Sequence, residues 1–214
     1  MSTTAARLAV FVSGGGRSLE NLVVRERDGR LLAHVAHVVS SSTRAGAIAR
    51  CARLGVPCSV VRRRDHADDA AFADALYALL ARERIDVVVL AGYLAHFPLR
   101  ASFERRVINI HPALLPSFGG KGYFGHHVHE AVLAAGVKIS GCTVHFVDDH
   151  YDRGPIIVQR AVPVQDDDDA DALAARVFDA ELEALPEAIN LLVTHRLDVD
   201  GARVRVRPPA PESR

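Results

Sequence analysis

Leu8-Ala9-Val10-Phe11-Val12-Ser13-Gly14-Gly15-Gly16-Arg17-Ser18-Leu19 decides the fold. The apolar run Leu8 to Val12 is too short for a buried helix and suits a strand covered on both faces. Three glycines then let the chain turn sharply. From Leu19 to about Arg27, Leu19, Leu22 and Val23 fall on one helical face. Strand, tight turn and helix open a right-handed βαβ unit. The pattern repeats: a strand over 32–39, a helix over 43–54 stopped by Gly55, a short strand over 57–61, a long alanine-rich helix over 68–84, and a nearly all-apolar strand over 86–91. The expectation is an α/β fold, Rossmann-like, with a mostly parallel twisted sheet and helices on both faces.

The second half changes character. A loop over 92–98 leads to a short helix and then to a strand over 107–110. Residues 112–125 are irregular and glycine-rich. A helix over 127–135 precedes two strands, 139–147 and 156–164, the second expected to run antiparallel to its neighbour. The acidic run Asp166 to Asp169 suits the start of a helix over 170–193. A hairpin over 197–206 turns at Asp200-Gly201, and 208–214 reads as a loose tail. With no repeat and no interior linker, one domain over 1–214 is the simplest account, divided into lobes of about 8–106 and 107–207.

Composition excludes several classes. The chain has 214 residues, and its 26 basic residues balance 26 acidic ones. No global field draws nucleic acid or a membrane surface. Lys121 and Lys138 are the only lysines. Cys51, Cys58 and Cys142 match no metal or disulfide framework and read as core or helix-surface thiols. The polar lead Met1 to Arg7 has no hydrophobic stretch of signal length, and no segment approaches a membrane span, so the cytoplasm is the expected address. His126, His127 and His129 invite a metal reading, but their spacing has no established ligand geometry, and no metal is expected.

In a doubly wound sheet, chemistry collects at the carboxyl ends of the strands. Ser13 to Ser18 lie at one such end. Their backbone N–H groups, at the start of a helix, can hold a phosphate. The dinucleotide spacing fails, because Leu19 stands where a third glycine would, and the Walker ending is absent. A tight turn with no ligand fits the same residues. At another strand end stand Asn109-Ile110-His111-Pro112. Side chains repeat every second residue in a strand, so Asn109 and His111 share a side. With the carboxylate candidate Asp152 they make a proton carrier, an orienting charge and an amide donor. No serine or cysteine nucleophile accompanies them, which favours direct acyl transfer over a covalent intermediate. A loop histidine capped by a backbone carbonyl is the bland alternative for His111. His145 reads as a packed or hydrogen-bonded partner.

The glycine loop, Val88-Val89-Leu90-Ala91-Gly92-Tyr93, Asn109 to Pro116, and Thr143 to Pro155 occur in an order that resembles the phosphoribosylglycinamide formyltransferases, over roughly 8–206. The resemblance implies 10-formyltetrahydrofolate as co-substrate, a ribonucleotide amine as acceptor, no metal, and a monomer or homodimer with small-molecule partners only. It implies catalytic roles for Asn109, His111 and Asp152. Substrate would be held by Ser13, Gly14, Gly15, Gly16, Arg17, Ser18, Gly92, Pro112 and Glu181. The pterin side would involve Leu90, Leu94, Ala95 and Phe97, with Asp148, Asp149, His150 and Tyr151. The first lobe would then bind phosphate, and the second would bind folate and carry the chemistry.

Two departures stand out. Arg17-Ser18 replaces the family's usual Ser-Asn, and an arginine fork suits phosphate. The segment Ser117 to His129 is glycine-richer and longer than usual. Its glycines suit a moving lid, and Lys121 is positioned either for a ligand carboxylate or phosphate or as a surface lysine. Formyltetrahydrofolate deformylase shares the triad but normally has an added amino-terminal domain. Methionyl-tRNA formyltransferase has an added carboxyl-terminal domain and tRNA surfaces. Sugar-nucleotide formyltransferases share the core triad. A non-catalytic binding protein on this scaffold would be free to lose one of the three polar positions, and all three are present.

Overall fold

In the computed structural model, which describes residues 5–209, alternation along β1 (Ala6–Val12) sets the architecture. Leu8, Val10 and Val12 enter the apolar core on one face of the sheet, while Ala9 and Phe11 enter the core on the other. A strand covered on both faces lies in the middle of a sheet. β1 is hydrogen-bonded in parallel to β2 (Ala33–Ser40) on one side and β4 (Val87–Leu90) on the other. β3 (Cys58–Val60) extends the sheet beyond β2, and β5 (Val107–His111) beyond β4, all parallel.

The direction then reverses. β6 (Ile139–Phe146) pairs antiparallel with β5, and β7 (Ile156–Pro163) antiparallel with β6. The seven strands run in the order β3-β2-β1-β4-β5-β6-β7. Helices α1 (Arg17–Arg27), α2 (Gly46–Leu54), α4 (His126–Ala134) and α5 (Ala170–Val193) contribute to one core, and α3 (Asp69–Arg82) to the other. The hairpin β8 (Leu197–Asp200) and β9 (Arg203–Val206) forms as expected.

The mixed sheet with helices on both faces agrees with the expected class. The antiparallel portion is larger than expected, because β6 reverses against β5 as well as β7 against β6. α2 starts at Gly46, not at residue 43, because 41–45 are spent on a turn, where Ser40 Oγ at the end of β2 donates to the Ser42 carbonyl at 2.8 Å. The short helix expected after 98 is a single 3₁₀ turn, Ala101–Phe103. The expected tail lies outside the described residues from 210 onward.

α5 carries Pro186 in its interior, which cannot donate to the carbonyl of Leu182. Asn21 on α1 supplies the missing donor, its Nδ2 reaching Leu182 O at 2.8 Å. This cross-helix bond ties the start of the chain to the helix that bears Glu181. Asp68 and Asp169 cap α3 and α5, each side chain accepting from a backbone N–H in the first turn at 2.8 Å.

Candidate active site

The glycine loop is built from behind. The carbonyls of Gly14, Gly15 and Gly16 accept from Ala47 N, Arg50 Nε and Glu20 N at 3.1, 2.9 and 3.1 Å. In a planar trans peptide the next N–H points the opposite way, so Gly15, Gly16 and Arg17 present their N–H groups to the front. Gly16 has φ 73, and a β-carbon there would stand 2.9 Å from that of Ala47, so this position needs glycine. Gly14, Gly15, Gly16, Arg17 and Ser18 line a compartment of about 460 Å³, together with Glu181 of α5 and His129 of α4.

Arg17 places its guanidinium over the ring of Phe178, 3.8 Å from the centroid, a cation–π contact. Burial raises the Glu181 carboxyl to about 7, with the Arg17 charge opposing that rise. Ser13 does not line the compartment. Its N–H donates to Gly92 O at 3.0 Å, and its hydroxyl bonds Ser41 Oγ at 2.6 Å and accepts from Leu94 N at 2.8 Å. It ties three strand ends together.

On β5, Ile108 and Ile110 enter one core, and Asn109 and His111 alternate to the other side. Asp152 meets them from the segment between β6 and β7. His111 Nδ1 lies 3.6 Å from Asp152 Oδ2, and Asn109 Nδ2 lies 3.4 Å from Oδ1. The antiparallel register sets His145 opposite Asn109. His145 Nδ1 donates to Phe146 O at 2.7 Å, which leaves Nε2 to accept from Asn109 Nδ2 at 3.1 Å. His145 thereby aims the Asn109 amide.

Asp152 sits at φ 56, a conformation that aspartate tolerates better than most residues. Burial works to raise its carboxyl. The neighbouring imidazoles of His145 and His111 and the Gly120 N–H, at 2.9 Å, outweigh that and hold it below the usual carboxylate range. His111 is only 4 % exposed, and burial lowers its pKa against the pull of Asp152 and of the Phe118 carbonyl. Its Nε2 donates to Phe118 O at 2.8 Å. The carbonyl cap of the bland reading is therefore present, alongside the carboxylate.

The triad opens into a cavity of about 340 Å³. Leu90, Leu94, Ala95 and Phe97 line it, and so do Asp148, His150 and Tyr151. Asp149 lies in a neighbouring groove instead. Lys121 lines the triad cavity and not the glycine-loop compartment. Gly92, Ile110, Pro112 and Gly125 line both spaces, so the two adjoin at the ends of β4 and β5. Tyr123 and Phe124, exposed on the 112–125 segment, and His96, edge-on to Tyr151, also line the cavity and are not among the residues expected from the sequence. An aromatic-rich glycine loop was the available signal. Phe178 gave none, because its role depends on where α5 packs.

The arrangement offers a neutral buried imidazole, an ionised carboxylate and a held amide beside a glycine turn with forward-facing N–H groups. Among the described residues, no three His, Cys, Asp or Glu side chains converge as metal ligands, and no helix is long and apolar enough to cross a membrane.

The family model "Formyl transferase" matches residues 6–189. A chloroplastic phosphoribosylglycinamide formyltransferase of Vigna unguiculata is 41 % identical over 194 residues, covering 89 % of this chain. The chain spans 62 % of that relative's length. Among solved structures, glycinamide ribonucleotide transformylase 1 from Symbiobacterium toebii superimposes with a TM-score of 0.89 at 37 % identity, covering 95 % of each chain. A formyltetrahydrofolate deformylase from Pseudomonas syringae gives 0.85 at 26 % identity, covering 97 % of this chain and 67 % of that one.

Proposed function

From the premise that the chain belongs to the formyltransferase family, we propose that it transfers the formyl group of 10-formyltetrahydrofolate to the primary amine of 5-phosphoribosylglycinamide. The observation that carries this reading is the pair of adjoining spaces: a triad cavity lined in part by apolar side chains, and a glycine-loop compartment with N–H donors and Glu181. A phosphate suits the loop, and an apolar ring suits the cavity walls.

The amine attacks the formyl carbon, and charge develops on the formyl oxygen. The Asn109 amide, once it gives up its long contact to Asp152 Oδ1, and the N–H of His111 are the donors proposed for it. For His111 this requires Nε2 to leave the Phe118 carbonyl, so movement of the 112–125 segment is part of the proposal. The bond from the carbon to N10 breaks as the new C–N bond is kept, and the proton lost by the amine ends on N10. Asp152 holds the charged form of His111 during that exchange. Positioning and preset dipoles supply most of the acceleration.

The deformylase alternative uses water as acceptor, and it leaves the glycine-loop compartment without a role. Purified protein given 10-formyltetrahydrofolate and glycinamide ribonucleotide should yield formylated ribonucleotide. Formate alone, at the same rate with and without the ribonucleotide, would overturn the proposal in favour of hydrolysis.

A further inference from the structure

His129 lies on the inner face of α4 between the buried Val128 and Val132. It is 4 % exposed, and its Nδ1 has no hydrogen-bond partner among the described residues. Buried polar atoms almost always have partners, and leaving one unpaired is costly. The ring lines the glycine-loop compartment near Glu181 and His126, and no step of the formyl transfer uses it. Nδ1 is closed off from that space as the ring stands, and a half-turn of the ring about Cβ–Cγ would present it to a ligand there.

The chemistry of the ring narrows what that ligand group is. Burial lowers the pKa of His129 to about 4, with His126 and His111 adding to the effect. At neutral pH the imidazole is uncharged, with one N–H and one lone pair. A phosphate needs donors and positive charge, which the loop N–H groups and the start of α1 supply. A hydroxyl both donates and accepts, so it serves an imidazole in either tautomer. No set of metal ligands converges among the described residues to claim the ring instead.

We propose that His129 is a specificity-determining residue of the glycine-loop compartment, its imidazole hydrogen-bonding a ribose hydroxyl of the bound amine substrate. The proposal rests on the reading of that compartment as a ribonucleotide site. Discrimination between ribose and deoxyribose acceptors then depends on a side chain outside the triad and outside the glycine loop.

His129→Phe keeps a flat ring and removes both nitrogens, while His129→Asn restores an amide near the Nδ1 position. Each variant and the unaltered enzyme are assayed with glycinamide ribonucleotide and with its 2′- and 3′-deoxy analogues, beside thermal melts. His129→Phe should raise KM for the ribonucleotide about three- to tenfold, the worth of one hydrogen bond. Its kcat and its KM for the folate should stay within about twofold. The preference for ribose over one deoxy analogue should shrink by the same factor, and His129→Asn should recover part of it. An unchanged KM in His129→Phe with a raised Tm would mark a merely structural imidazole and overturn the proposal. A KM rise equal for ribose and both analogues would overturn it as a change of shape. Equal KM for all three acceptors in the unaltered enzyme would overturn it without any variant. If the unaltered enzyme forms no formylated ribonucleotide, the functional reading falls and this inference with it. If it does, and His129→Phe is indistinguishable from it, this inference falls alone.

Discussion

Asp152 accepts from the Gly120 N–H at one oxygen and faces Asn109 at the other. Asp152→Asn keeps an acceptor for Gly120 and removes the charge beside His111. Turnover should fall by about 10²- to 10⁴-fold, with KM for both substrates little changed; steady-state kinetics would show it, and unchanged kcat would remove Asp152 from the chemistry. Glu181 gives a pH-dependent prediction. Its folded pKa is raised from 4.5 to about 7, so the folded protein keeps a proton that the unfolded chain has lost. The stability this confers is full below 4.5, declines as pH rises, and is gone above about 7. Glu181→Gln lacks that slope. Its melting temperature should gain on the parent between pH 4.5 and 8, at about 2–4 °C per kcal/mol; parallel profiles would refute the buried-acid account. At this scale the sequence was readable where the strand period acts: Asn109 and His111 do share a face. It was silent about Phe178 under Arg17, since that contact depends on how a distant helix packs.

The elements decide whether those side chains meet. The segment between β6 and β7 is closed at its base, where Phe146 N donates to Pro155 O at 2.9 Å. A β-carbon on Gly154 would lie 1.9 Å from the Phe146 carbonyl oxygen. Gly154→Ala must therefore open the base of the segment. A loss of about 1–3 kcal/mol is expected in chemical denaturation, and kcat should fall as well, because Asp152 loses its place. Wild-type kcat in a folded Gly154→Ala protein would show that Asp152 is positioned by something else. The strand and helix order of the first half was legible from apolar runs punctuated by glycine. The reversal of β6 against β5 was not. Alternation along 139–147 reads the same in either direction, so partner and polarity come only from the sheet.

For the whole molecule, one core does most of the joining. Leu185 of α5 is 1 % exposed within the core that also takes β1, β4, β6 and α1 residues. Leu185→Ala should cost about 2–5 kcal/mol, lowering the melting temperature by roughly 5–15 °C. A shift of less than a degree would mean that α5 is peripheral. The fold class was legible at this scale because 6–90 is a run of local βαβ units. The pairing of β5 with β6 also fixes when in synthesis the site comes into being. The glycine loop, Asn109 and His111 are already made when the first five strands are complete. His145, Asp152 and Glu181 all follow residue 139. On the proposed reaction, a chain leaving the ribosome thus carries the five parallel strands and the glycine loop well before Asp152 is made, and chemical competence arrives with the last third of translation.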